Sequence, residues 1–163
     1  MSAQIVDSFE FCRSGEQASG STPVAEFKRL CADLAEPSGE LRWSFQGGKH
    51  ADGAPQLLME VAGEVRLVCQ RCLAPYTQPL QSRSTLVLAA DETQADEIEA
   101  RIDDDSIDVI VGSRSMDLLV LVEDEALLSL PLSPRHDVCP GVVQANQDGK
   151  EESPFAVLKQ LKQ

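Results

Sequence analysis

The stretch DLLVLVEDEALLSLPLSPRHDVC, residues 117–139, decides the fold of this chain. Its first residue, Asp117, is a favourable N-cap, because a carboxylate can accept hydrogen bonds from the unpaired amides of a first helical turn. The apolar run that follows stops at Pro131, which cannot continue a helix. The sequence therefore predicts one helix over residues 118–129.

This helix is apolar around most of its circumference, through Leu118, Leu119, Leu121, Val122, Ala126, Leu127 and Leu128. An apolar surface of this width is typical of a helix enclosed on more than one side, so we expect a central core helix. Glu125 falls within the apolar surface, where an ionised carboxylate needs a partner to offset its desolvation. The alternative is that Glu125 ends a charged, solvated face together with Glu123 and Asp124.

Upstream of the helix, apolar side chains recur at every second position, which is the period of half-buried strands. The pattern covers residues 41–46, 56–62, 64–68 and 77–89, and residues 107–111 are a fifth candidate strand. The short connections among these strands favour antiparallel pairing. The sequence therefore predicts an α+β fold in which an antiparallel, barrel-like sheet packs around the central helix.

A second helix is predicted near the N-terminus, where Thr22 and Pro23 offer an N-cap followed by proline at the first helical position. An apolar stripe follows at helical spacing, formed by Val24, Phe27, Cys31 and Leu34. Residues 5–11 are expected to form a short strand or a packed arm. Residues 1–139 are thus predicted to form one β-rich domain.

Residues 140–163 are predicted to be a tail with a short amphipathic helix. The helix starts near Ser153, and Phe155, Leu158 and Leu161 recur along one side of it. A terminal helix of this kind either docks on its own domain or is presented to a partner. Phe155 and Leu158 are therefore candidate partner-binding residues.

The net charge of −13 is concentrated in one segment. Residues 91–108 hold nine Asp and Glu side chains against the single base Arg101. With few large apolar residues, this segment is expected to be an exposed acidic loop or a frayed helix. A field of this sign repels a phosphate backbone and attracts basic proteins.

Compartment and membrane association follow from composition. The first ten residues carry acids where a signal peptide needs bases, and no apolar run approaches the length of a membrane span. The five cysteines are an odd and scattered set, unlike the paired framework of a small secreted domain. We therefore expect a cytoplasmic protein with reduced thiols and no membrane contact.

Two short motifs supply candidate metal ligands. Cys69 and Cys72 form a C-x-x-C where a strand ends, and His136 and Cys139 form an H-x-x-C after the central helix. Together they make a Cys3His set, a known composition of closed, structural zinc sites, provided that the fold brings the pairs together. Arg71 beside the cysteines would help to hold them as thiolates. A redox pair and two unligated structural thiols remain as alternatives for the C-x-x-C.

Catalytic motifs are missing from the sequence. It contains no phosphate-cradling glycine loop, no nucleophile elbow and no histidine paired with acids at a useful spacing. His136 lies between Arg135 and Asp137, but nothing around it supplies a nucleophile. The chain is therefore predicted not to be an enzyme.

Three stretches carry a resemblance to a known family. They are VCQRCLAPY at 68–76, MDLLVLVEDEALLSLPLSPRHD at 116–137 and SPFAVLKQLK at 153–162, in this order and with an acidic stretch between the first two. From about Leu41 to its end the chain resembles the YceD family, the large ribosomal RNA subunit accumulation proteins. The resemblance implies a role in the synthesis, processing or stability of the large-subunit ribosomal RNA, among strongly basic ribosomal proteins.

Two hypotheses follow. In the first, a non-enzymatic ribosome-biogenesis factor binds a basic ribosomal protein or a pre-ribosomal particle, with residues 91–108 steering the encounter. In the second, the protein is a direct RNA-binding module with a structural zinc site, and Arg66, Arg71 and Arg83 cluster on the sheet near Trp43 or Tyr76. The first is the prediction, and the second is its alternative.

Overall fold

The computed structural model of the chain describes residues 3–102, 104 and 106–140. Its elements in chain order are β1 (Ile5–Val6), α1 (Ser8–Ser14), β2 (Gln17–Pro23), a 3-10 turn (Val24–Glu26), α2 (Lys28–Asp33), β3 (Glu40–Lys49), β4 (Pro55–Val68), β5 (Pro75–Ala89), α3 (Glu92–Arg101), β6 (Ile107–Val111), β7 (Met116–Asp117) and α4 (Leu118–Leu128). The predicted α+β class is confirmed by this mixture of helices and strands.

The main sheet has five strands in the order β2-β3-β4-β5-β6, and β1 pairs with β7 in a separate two-stranded sheet. Pairing is antiparallel from β2 to β5, but β6 runs parallel to β5. The sheet is therefore mixed and open, and the prediction of an antiparallel, barrel-like sheet is wrong. The reason lies in α3, since a chain that returns to a parallel position must cross over the sheet first.

Strand register sorts the side chains onto two faces. Trp43, Val61 and Ser82 are cross-strand neighbours on the face that carries the core, here called the inner face. One position along, Glu60 and Arg83 pair on the opposite, outer face. Because side chains alternate along each strand, the register fixes both faces from end to end.

β4 is longer than expected, because the candidate strands 56–62 and 64–68 form one strand that passes through Gly63. Gly63 lies close to β3, and a Cβ added there would approach the carbonyl oxygen of Glu40 to 2.7 Å. Pairing with β3 ends at this point, whereas pairing with β5 continues to Val68. The β4–β5 hairpin therefore extends beyond the rest of the sheet.

The helix predicted over residues 118–129 is confirmed as α4. Asp117 caps it by accepting a hydrogen bond of 3.0 Å from the amide of Leu119. The helix contacts α2, β4 and β5. Leu118, Val122 and Ala126 are completely buried, whereas Val120 is 44% exposed, so one side of the helix meets solvent.

Two glutamates of α4 are buried, and each has partners. Glu125, whose position suggested a need for a partner, accepts a hydrogen bond from the hydroxyl of Ser82. Glu123 accepts from the backbone amides of Arg29 and Leu30 at 2.7 and 3.2 Å. These amides belong to the first turn of α2, so a residue 93 positions away in sequence caps that helix.

The N-terminal region differs from its prediction in three places. Residues 8–14 are helical, because Asp7 accepts from two amides of the first turn and Gly15 ends the helix with a φ of 66°. Residues 17–23 form β2 at the sheet edge rather than a helix start. The predicted N-terminal helix is divided by Phe27, whose backbone is extended between the 3-10 turn and α2.

The acidic segment, for which a loop or a frayed helix was predicted, forms the helix α3, and the candidate strand at residues 107–111 is confirmed as β6. Asp91 caps α3 by accepting from the amide of Gln94 at 2.8 Å. Ala95 and Ile98 are buried in a small cluster with side chains of β5 and β6. None of the helices in the described ranges is long and apolar enough to cross a membrane. The predicted C-terminal helix lies outside the described residues.

The substitution Glu123→Ala is expected to lower the free energy of unfolding by about 1–3 kcal/mol, because the amides of Arg29 and Leu30 would lose their acceptor in a buried site. The substitution Asp124→Ala is the matched control. Its carboxylate is 44% exposed and bonds to the Arg29 guanidinium, so its loss should change stability by less than about 0.5 kcal/mol. Urea unfolding measures both variants, and equal losses would contradict the capping role.

Candidate metal centre

A tight turn at residues 69–74, here called the knuckle, joins β4 to β5. The amide of Leu73 donates to the carbonyl of Cys69 at 2.9 Å, and the amide of Cys69 donates to the carbonyl of Ala74 at 3.0 Å. Leu73 has a φ of 61°, which is uncommon for a residue other than glycine. The turn directs the amides of Arg71 and Cys72 at the sulfur of Cys69.

The segment that leaves α4, residues 129–139, is here called the connector, and it lies against the knuckle. The amide of Gln70 donates to the carbonyl of Pro134 at 2.8 Å. The hydroxyl of Ser133 donates to the side chain of Gln70 at 3.1 Å. These bonds hold the connector at the tip of the β4–β5 hairpin.

The two predicted ligand pairs come together at this contact. The ligand atoms of Cys69, Cys72, His136 and Cys139 all lie within 4.8 Å of one another. The sulfurs of Cys69 and Cys139 are 3.7 Å apart, and the sulfur of Cys72 is 3.4 Å from Nδ1 of His136. Cys69 and Cys139 are buried, and the other two side chains are half-buried. This arrangement could hold one metal ion.

The donor set and its dimensions fit a zinc ion. Thiolate sulfur and imidazole nitrogen are the ligands of structural zinc, with Zn–S bonds of about 2.3 Å. A tetrahedral site with such bonds places its sulfurs roughly 3.8 Å apart, close to the 3.7 Å between Cys69 and Cys139. Four protein ligands would fill all four positions and leave none for water or substrate.

Local electrostatics favour a thiolate at Cys69. Burial is the largest single influence and raises its pKa, but the backbone amides of Cys72, His136 and Arg71 together lower that pKa to about 5. At Cys72, the amide of Ala74 lowers the pKa of the thiol. Burial and the neighbouring sulfurs outweigh this effect, so the pKa of Cys72 is raised. Backbone amides of the knuckle thus donate hydrogen bonds to the sulfurs of Cys69 and Cys72.

Arg71 joins the two halves of the cluster, whereas the sequence predicted only that it would help to hold the neighbouring cysteines as thiolates. Its Nε donates to the sulfur of Cys139 at 2.9 Å, and Nη2 donates to the carbonyl of His136 at 3.4 Å. The bond to Cys139 is the main cause of a raised pKa for Arg71. The side chain therefore supplies positive charge next to three cysteines and fixes the connector.

Tyr76 is a residue of this site that the sequence did not assign to it. Its ring centre lies 5.1 Å from that of His136, at an interplanar angle of 43°. Burial raises the pKa of the Tyr76 hydroxyl, which donates to the side chain of Gln78 at 3.1 Å. The signal available in the sequence was its position on the inner face at the start of β5, four residues after Cys72.

The three arginines of the RNA-binding alternative do not form one cluster. Arg83 is paired with Glu60, and Arg66 with Glu36 at 3.0 Å, while Arg71 belongs to the knuckle. Trp43 lies on the inner face, and its Nε1 donates to the hydroxyl of Thr22 at 3.0 Å. The buried Trp43 indole therefore provides no base-stacking surface beside these arginines, whereas Tyr76 lies next to the knuckle, against His136. Phe155 and Leu158 lie outside the described residues.

The acidic segment and the knuckle lie at opposite ends of β5. The knuckle precedes Pro75 and α3 follows Ala89, and a strand of 15 residues spans roughly 45–50 Å. At the acidic end, Arg101 of α3 donates to Asp52 of the β3–β4 loop at 2.6 Å. The amide of Ala54, followed by His50 and Arg101, lowers the pKa of Asp52 to about 2.

Fold and site together define a small α+β protein whose one candidate site among the described residues is a closed Cys3His cluster. The family model described as "Large ribosomal RNA subunit accumulation protein YceD" matches residues 57–162. The chain is also 34% identical over 122 residues to the protein of that name from Haemophilus influenzae (strain ATCC 51907 / DSM 11121 / KW20 / Rd), covering 67% of this chain and 68% of the relative.

The chain therefore belongs to the YceD family, which confirms the resemblance seen in the sequence. The matched residues include the knuckle, α4 and the connector. No solved structure matches the chain.

The substitution Arg71→Ala is expected to weaken zinc binding by about 10–100-fold, because it removes the hydrogen bonds that place Cys139 and the connector. Arg83→Ala is the matched control, since that guanidinium is 76% exposed on the outer face and pairs with Glu60. Competition with a chromophoric chelator measures the zinc affinity of both variants. Equal affinities would show that Arg71 has no positioning role.

Proposed function

We propose that this protein supports the accumulation of large-subunit ribosomal RNA as a non-catalytic assembly factor of the cytoplasm, and that it does so by binding a basic ribosomal protein or a pre-ribosomal particle. Family membership carries the proposal. The family description and the name of the Haemophilus influenzae relative both specify accumulation of the large ribosomal RNA. The charge and the site chemistry of this chain support the finer steps.

The chemistry of the cluster supports a structural role. Four protein ligands leave no open coordination position, and an open position is what a catalytic zinc needs to activate water. No second group of Cys, His, Asp and Glu side chains at metal-binding distance occurs within the described ranges. We infer that the function depends on surfaces that bind a partner rather than on a reaction.

Zinc bound at Cys69, Cys72, His136 and Cys139 would stabilise the tip of the β4–β5 hairpin. It would link the knuckle to the connector, and so to α4 in the core. Such a link also fixes the surfaces on either side of the hairpin, because a structural zinc site contributes directly to folding.

Charge supports a basic partner. The chain carries a net charge of −13, and α3 exposes Glu92, Asp96, Glu97 and Glu99. These carboxylates lie at the end of β5 remote from the knuckle, so they can attract a basic protein without disturbing the cluster. Such a field raises the association rate and the specificity more than the final affinity.

Charge reversal tests this role of α3. The triple substitution Glu92→Lys, Asp96→Lys and Glu99→Lys is expected to slow association with basic proteins from the large ribosomal subunit by about tenfold or more at low salt. The effect should shrink as salt is added. Stopped-flow or biosensor association rates, measured with the purified ribosomal proteins one at a time, provide the readout.

The matched control reverses Asp33, Glu40 and Glu64, which are equally exposed and lie outside the acidic segment. This control changes the net charge by the same amount. An equal loss of association rate would therefore show that the total charge of the protein, rather than α3, determines the rate. Failure of every large-subunit protein to bind, together with a salt-dependent shift of large-subunit RNA, would replace the proposal by the direct RNA-binding alternative.

A further inference from the structure

Among the described residues, no strand pairs with the outer edge of β2. β2 is the first strand of the five-stranded sheet and pairs with β3 alone. Its residues Gln17–Pro23 read QASGSTP, with no charged side chain and with proline only at the end. Proteins commonly protect sheet edges with charges, prolines or bulges, because an open edge accepts another strand.

The register shows which backbone groups point outward. The amide of Gly47 donates to the carbonyl of Glu16, and the amide of Val24 donates to the carbonyl of Gly39. In an antiparallel ladder, bonded pairs alternate with non-bonded pairs. The even-numbered residues of β2 therefore bond to β3, and the amides and carbonyls of Ser19 and Ser21 point away from the sheet.

Two clefts flank this edge, one on each face of the sheet. The cleft on the inner face has a volume of 500 Å³, and Gln4, Glu26, Trp43 and Leu119 contribute to its lining. The cleft on the outer face has a volume of 740 Å³, and Ser44, Gln46, Leu58, Glu60 and Arg83 contribute to its lining. An added strand would direct alternate side chains into the two clefts, as in recognition by strand addition.

Gly20 and Trp43 shape the inner cleft. A Cβ at Gly20 would come within 2.7 Å of the Trp43 ring, so this glycine lets the indole reach the edge of β2. The indole nitrogen is held by Thr22, which fixes the ring orientation. One wall of the inner cleft is therefore the ordered Trp43 ring.

We propose that an extended, basic segment of a protein partner adds to the outer edge of β2 as a sixth strand. Its alternate side chains occupy the cleft beside Trp43 and Leu119, while its backbone bonds to Ser19 and Ser21. The net charge of −13 favours a basic occupant over an acidic one. A second copy of this chain is disfavoured as the occupant, because two chains of net charge −13 repel one another.

This inference rests on the proposed function, since it names the surface that holds the basic partner. The test compares Ser19→Pro with Ser19→Ala. Proline removes an outward amide and leaves the ladder with β3 intact, which is the edge position where proline is tolerated. Alanine retains the amide. Circular dichroism and thermal unfolding verify that both variants are folded.

The probes are the large-subunit ribosomal proteins, purified one at a time. For a protein that binds the wild type, Ser19→Pro should reduce affinity by about tenfold or more, and Ser19→Ala should leave it within about twofold. Amide hydrogen exchange in the complex should slow at Ser19 and Ser21. The amides of Ala18 and Gly20, already bonded to β3, should change far less.

The outcomes separate the two claims. A ribosomal protein that binds wild type and Ser19→Pro equally, with unchanged exchange at Ser19 and Ser21, overturns the edge inference and leaves the proposed function standing. Failure of every ribosomal protein, and of isolated pre-ribosomal particles, to bind overturns both. Self-association of the wild type that Ser19→Pro abolishes would assign the edge to a second copy of this chain instead.

Discussion

The rest of the structure depends on how the extended end of the β4–β5 hairpin is tied down. Beyond Gly63, β4 has no pairing with β3, and a two-stranded ribbon is only marginally stable in water. One side of the ribbon is bonded to the segment after α2, where the amide of Ala35 donates to the backbone carbonyl of Arg66 at 2.7 Å. Its tip is bonded to the connector. Because the connector continues from α4, a metal held between the two would couple the hairpin tip to the core.

The groups that would stabilise the fold and the groups proposed to bind a partner lie in different parts of the molecule. The Cys3His cluster occupies one end of the β4–β5 hairpin, α3 and its carboxylates lie at the other, and the open edge of β2 lies across the sheet. In our proposal the cluster fixes the scaffold, α3 attracts a basic partner, and β2 binds it. The exposed side chains of α3 and of β2 can then be altered without disturbing the cluster, since no side chain belongs to two of these sites.

Local signals in the sequence predicted α4 and the candidate ligands well. Asp117 marks the start of the helix as its N-cap, and the apolar residues after it recur at helical spacing. Cysteine and histidine are recognisable as candidate metal ligands from their residue type. Features set by distant contacts could not be predicted. β2 has no apolar alternation and becomes a strand by pairing with β3. α3 buries only two side chains, Ala95 and Ile98, and the cap of α2 comes from Glu123. The parallel placement of β6 is likewise a property of topology rather than of its own residues.

In our proposal, one zinc ion joins the knuckle to the connector. Zinc K-edge X-ray absorption of the purified, zinc-loaded protein measures its ligands directly. We expect three sulfurs at about 2.3 Å and one nitrogen at about 2.0 Å, with one sulfur fewer after either Cys72→Ser or Cys139→Ser. A shell dominated by oxygen and nitrogen, or a sulfur count unchanged by both substitutions, would contradict it.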